Sequence, residues 1–169
     1  MYFEIISQFA FSLKNLDRIM GKAADHAEAK KFDVNNFLSA RVAPDMLPFN
    51  MQVRIACDAA KGAAASLSGK EAPKHEDNET TFAERRTRIG KCITYLESFT
   101  AQDFAQMKDE RTIKLAYPPG KGLTAKDFAL GRQIPNFFFH YATAYGLLRA
   151  GGVEIGKGDF LGPLNTLDL

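Results

Sequence analysis

At 169 residues, 46% of them hydrophobic and 25% charged, the chain is long enough to bury a core without disulfide or metal staples and has an ordinary globular composition. A formal net charge of +2, with no basic block beyond Arg85-Arg86-x-Arg88, argues against nucleic acid as a partner. Two cysteines, Cys57 and Cys92, rule out a disulfide framework or zinc knuckle, and no apolar run is long enough to span a bilayer.

The N-terminus, Met1-Tyr2-Phe3-Glu4, lacks the basic region and small-residue cleavage site of a secretory signal, so a single cytoplasmic domain with no membrane contact is expected. From Glu4 to about Lys31, Ile5, Phe9, Leu13, Leu16, Ile19 or Met20, and Ala23 recur at spacings of three and four, which predicts the first helix. His26 falls at the edge of that stripe. Asp33 caps a short helical turn over 34–40. Pro44 and Pro48 then break the chain, and Pro48 is placed to open the second helix.

That helix, 48–67, is alanine-rich along its later turns, which lets a neighbouring helix come close. Gln52 lies on its inward stripe, where an unpaired amide would cost about 1–3 kcal/mol, so it needs a partner. Residues 69–78 form a polar loop in which His75 is expected to face solvent. Thr81 and Glu84 make a capping box for the third helix, 81–98, and the Arg85–Arg88 run reads as its solvated face. Thr100 and Asp103 repeat the cap for a short helix. Thr112 to Tyr117 alternates as a strand, and Pro118-Pro119-Gly120-Lys121-Gly122 turns it toward Leu123 in a small hairpin.

Thr124 and Asp127 cap the last helix, 125–150, which Pro135 should kink. Its second half, Phe137 to Ala150, is apolar nearly all round and carries one histidine, His140, so it belongs inside a bundle. Beyond Gly151-Gly152, the glycine-containing tail 153–169 should wrap the surface or reach a partner subunit. The sum is an all-α four-helix bundle with a short helix and a β-hairpin between helices three and four.

The run His140-Tyr-Ala-Thr-Ala144-Tyr145-Gly146-Leu147-Leu148-Arg149-Ala-Gly151 resembles the last helix of the DinB/YfiT-like superfamily. Thr81-Phe82-x-Glu84 through Phe99-Thr100-x-x-Asp103-Phe104 is similar as well. Pro135-Asn136-Phe-x-Phe-His140, Ala43-Pro44-Asp45-Met46 and Ala63-Ala64 resemble a branch of it that is a domain of unknown function. The resemblance implies a four-helix bundle, a homodimer, and membership among metal-dependent hydrolases and thiol-dependent transferases. It also implies a metal site of three histidines, one from helix two and two, four apart, from the last helix. Here His140 matches one of the closing pair, its partner position is Ala144, and helix two has no histidine. The standard site is absent by sequence.

Three readings follow, with no catalytic residue named and whether the protein is an enzyme left open. The first is a pocket for a small, partly apolar ligand along Phe137 to Tyr145, with His140 as polar anchor, Gln52 and Asn136 as amide partners, and Tyr145 and Asp45 at the rim. It takes no cofactor. The second is a divalent-metal hydrolase or thiol transferase in which His140 joins His26, Asp45 or Asp58. The third is a non-catalytic dimeric assembly module. The first is preferred.

Overall fold

The computed structural model describes residues 1–167. The last two residues of the expected tail, Asp168 and Leu169, lie outside the described residues. Four long helical segments make the bundle: α1 (Tyr2–Lys30), α2 (Phe49–Ser68), α3 (Phe82–Glu97) and, at the far end of the chain, α4 (Ala125–Asp127) running on into α5 (Ile134–Ala150). Each boundary lies within two residues of the sequence expectation.

The apolar stripe of α1 is buried as its spacing requires, with Ile6, Phe9, Leu13, Leu16, Ile19 and Met20 fully enclosed. The Phe9 ring stacks on Phe137 of α5 with centroids 4.4 Å apart. Burying one such ring is worth about 2–3 kcal/mol, and this pair ties the first helix to the last. α1 stops where Lys31 adopts a left-handed conformation (φ 59°) and its amide reaches back to the carbonyls of Ala27 and Glu28.

α2 lies between α3 and α5, its two main neighbours, with lesser contact to α1. Ala56, Ala60, Ala63 and Ala64 are fully buried along it. Pro48 precedes the helix in an extended conformation (φ −74°, ψ 166°) as its cap residue, one position earlier than expected. At the same end of the bundle, Phe49 stacks on Phe82 at 5.8 Å, joining the starts of α2 and α3. The predicted capping box at Thr81 and Glu84 is present in full.

Three local expectations change. The turn after Asp33 is a 3₁₀ segment, Val34–Ser39, with the Asp33 carboxylate accepting from the Asn35 amide. The hairpin is shorter than its alternating pattern: β1 (Thr112–Lys114) pairs antiparallel with β2 (Gly122–Thr124), Ile113 opposite Leu123. Past Lys114 the ladder adds one bond, from the Leu115 amide to the Lys121 carbonyl, because Pro118 and Pro119 have no amide to offer.

The third change is at Pro135. Between α4 and α5 the chain makes wide turns over Phe128–Gln133, where the Ile134 amide donates to the Ala129 carbonyl five residues back. Lengthening the bond spacing from four to five takes up the amide that Pro135 lacks while the helix continues. The proline thus widens the helix at the turn before it.

The tail folds back within the chain. Val153 and Ile155 are buried, and α6 (Lys157–Leu161) lies along α1. Asn15 of α1 donates to the carbonyls of Phe160 and Leu161 at 3.3 and 3.1 Å, and the Tyr141 hydroxyl donates to Phe160 at 2.7 Å. Gly162 follows with φ 72°, and a Cβ there would fall 2.4 Å from Oδ1 of Asn15, so the close approach requires glycine.

Candidate functional site

His140 points from α5 toward α2 and is 8% exposed. Its Nδ1 lies 2.7 Å from Oε1 of Gln52, and Nε2 of Gln52 donates to the Leu47 carbonyl at 2.8 Å. That second bond fixes the amide orientation, since a carbonyl can only accept. Oε1 must therefore face the ring, and it too can only accept, so Nδ1 carries the proton. The neutral ring then presents Nε2 as a lone pair. Among the described residues Nε2 has no hydrogen-bond partner, and it is not among the polar atoms sealed from solvent. Burial pushes the imidazole below its ordinary value, which keeps it neutral near pH 7.

The other predicted residues distribute unevenly around this pair. Asn136, half-buried, precedes His140 by one turn on the same face of α5. Asp45 is exposed in the turn two residues before Leu47, whose side chain is also largely exposed at 44%. Phe139, 55% exposed, sets its ring edge-on to the imidazole at 5.1 Å. Tyr145 falls on another face of α5, edge-on to Phe160 of the tail at 5.6 Å. The structure thus joins His140 to Gln52, places Asn136 one turn before it on α5, leaves Asp45 exposed in the turn ahead of α2, and turns Tyr145 toward α6.

The donor set does not fit the metal that the superfamily resemblance implies. Among the described residues no three His, Cys, Asp or Glu groups converge. Of the partners considered for His140, Asp58 accepts from Arg88 at 2.7 Å, His26 packs edge-on to Phe32 at 5.9 Å, and Asp45 is exposed in the turn before α2. No step is assigned to a metal.

A family model described as a domain of unknown function, DUF1993, matches residues 1–161. The chain belongs to the DUF1993 family. The crystal structure of a DinB family member from Shewanella denitrificans superposes with a TM-score of 0.93 at 45% identity, over 99% of this chain and 95% of that one. The fold is therefore DinB-like, as the last helix suggested. No curated protein matches the chain.

In this DUF1993 chain the sequence reading missed a second polar centre. The run Arg85-Arg86-x-Arg88 is not a solvated face: Arg85 and Arg88 are 3% and 2% exposed. Arg88 donates to Asp58, Asp77 and Glu79 at 2.7, 2.7 and 2.8 Å, and Arg85 holds both the side chain and the carbonyl of Glu79 at 3.0 Å. Arg54 adds an ion pair to Asp77. The signal was in the spacing, because Arg85 falls on the stripe Phe82, Ile89, Cys92, Leu96 that faces the core. The same network folds the polar loop inward, so His75 is half-buried and not freely exposed. Among the described residues no helix is long and apolar enough to cross a membrane.

Proposed function

We propose that this protein binds a small, partly apolar molecule through Nε2 of His140. The observation that supports the reading is the chain Leu47 carbonyl, Gln52, His140, which locks the imidazole tautomer and leaves one acceptor unspent at the edge of the bundle. Orienting a neutral ring in this way suits recognition of a hydroxyl, amide or ammonium donor. Phe139 offers apolar contact beside it, and Asn136, one turn earlier on α5, and the exposed Asp45 are the polar groups assigned to its rim.

The same tautomer is the one a metal-binding histidine adopts, with Nδ1–H held by an outer acceptor. That is the specific observation in favour of the alternative, a divalent-metal hydrolase or thiol transferase, and the missing second and third ligands count against it.

One experiment separates the two. Wild type, His140→Phe and Gln52→Leu are screened for melting-temperature shifts against aliphatic alcohols, phenols and small amines, and in parallel against zinc and nickel. The expected outcome is a shift with an organic donor in wild type that vanishes in His140→Phe, whose bundle stays folded. A shift with metal alone, lost in the same variant, would replace this reading by the metal-dependent one. An organic shift that persists in His140→Phe would retire the site.

A further inference from the structure

Away from His140, the polar loop and the outer side of α3 enclose an open cleft of about 520 Å³, lined on one side by residues 73–76, Asn78 and Glu79 and on the other by Glu84, Thr87, Arg88 and Lys91. That volume lies within the range of small-molecule sites. Its walls are held in shape by the buried Arg88, which grips Asp77 and Glu79 of the loop at 2.7 and 2.8 Å and Asp58 of α2 at 2.7 Å.

The charged groups of the cleft are not equally occupied. Glu79 is taken by Arg85 and Arg88. Glu84 accepts from the amides of Thr80 and Thr81 at 2.7 and 2.8 Å, and Glu76 accepts from the Asn78 side chain at 2.9 Å. The cations differ. Among the described residues neither Lys74 nor Lys91 has an ion-pair partner or a side-chain hydrogen bond, and the His75 ring has no hydrogen-bond partner. Lys74, Lys91 and the His75 ring are thus the unengaged nitrogen groups of the cleft, while Glu76 and Glu84 are exposed and accept only from uncharged groups.

We infer that this cleft binds a small molecule through an oxyanion group, a carboxylate or a phosphate, held by Lys74, Lys91 and His75. The site is separate from His140 and does not depend on it. Both lysines are exposed, so pairing them with a ligand costs little desolvation, and a cleft wall screens them less than open water would.

His75 supplies the readout. Burial lowers its pKa, and the charges of Lys61 on α2 and Arg88 on α3 lower it further, against the opposing pull of Asp58 on α2 and Glu79 in the loop. Lys74, Glu76, Glu84 and Lys91 complete the charged surroundings of the cleft. An oxyanion placed among these cations favours the protonated ring, so binding takes up a proton and tightens as pH falls from neutrality through the histidine range.

The test is titration of the protein with inorganic phosphate and, separately, with succinate, at ionic strength held constant with sodium chloride, while the His75 ring resonances are followed by NMR. The expected result is a saturable shift and a raised His75 midpoint, with binding weakened at least about tenfold in Lys74→Ala/Lys91→Ala, or about 1.4 kcal/mol. Lys91→Arg should retain binding, and His140→Phe should leave it unchanged. Saturation by phosphate alone identifies a phosphate ligand, and saturation by succinate alone identifies a carboxylate. No saturation by about 10 mM of either anion, a range that corresponds to negligible affinity, would overturn the inference. So would equal binding in the double-alanine variant.

Discussion

Arg88 shows how much one side chain can organise when it is buried with its charge. Burial pushes the Asp77 and Glu79 carboxyls up, and the hydrogen bonds and charge of Arg88 more than offset it, so both lie below the ordinary carboxylate range. A depressed carboxyl pKa contributes stability that is present above the unfolded value near 4 and is lost as pH falls through the folded one. Replacing Arg88 by Met removes the cation that bridges three carboxylates and leaves Glu79 to Arg85, Asp77 to Arg54 and Asp58 to Lys61. The expected cost at pH 7 is about 2–3 kcal/mol, at or below the low end for breaking a buried pair because the carboxylates are partly solvated and keep other cations. Urea unfolding of wild type and Arg88→Met at pH 7 and again near pH 3 checks this. The gap between the two proteins should narrow in acid, and a gap independent of pH would show that packing of the arginine, not its charge, carries the effect. The polar centre at His140 works on the same scale by different means, with one amide reading a ring nitrogen and a carbonyl at once.

At the scale of elements, α6 is held in place by specific hydrogen bonds. It is five residues long, has no fully buried side chain, and depends on Asn15, Tyr141 and the stacking of Phe160 on Tyr141 at 4.2 Å. Isolated helices of that length are not stable in water. Asn15→Ala removes both donors to the tail carbonyls and leaves those acceptors facing a less polar groove. The expected global loss is modest, about 1 kcal/mol, but the local one is large: limited proteolysis after Lys157 should become fast under native conditions. If the tail stays protected, the Tyr141 bond to Phe160, the Lys22–Asp159 ion pair and the burial of Val153 and Ile155 hold it without Asn15. The π-type turns before Pro135 belong to this scale too. There a missing amide is absorbed by bond spacing, and Phe128 and Ala129 remain in the core.

For the whole molecule, the spacing of helices is set by α2. Ala60, Ala63 and Ala64 are fully buried where it meets α3 and α5. Small side chains bring backbones together, and a close-packed interior leaves no room for a larger one. Ala60→Leu is expected to destabilise by about 2 kcal/mol or more through forced displacement of neighbouring side chains. The loss would appear as a lower urea midpoint with an unchanged slope. A stability equal to wild type would mean the interface holds a gap large enough to accept the added methylenes.

The residues by themselves determined the helices, their caps and the bundle. Apolar spacing is a local property, and a capping box such as Thr81 with Glu84 lies within four residues, so nothing distant is needed to read either. The last helix carried the family resemblance in the same way, and Gln52 announced a need for a partner because an inward amide is costly to leave unpaired. What met Gln52 was decided only in three dimensions. His140 lies 88 residues away, and its tautomer follows from a bond made to a third residue, Leu47. Arg85 and Arg88 looked solvated because their counter-charges, Asp58, Asp77 and Glu79, lie on another helix and in a loop without periodicity. The π-type turns and the docking of α6 on α1 likewise depend on packing that no local window contains. Local pattern fixes which faces turn inward, and tertiary packing decides which polar groups meet there.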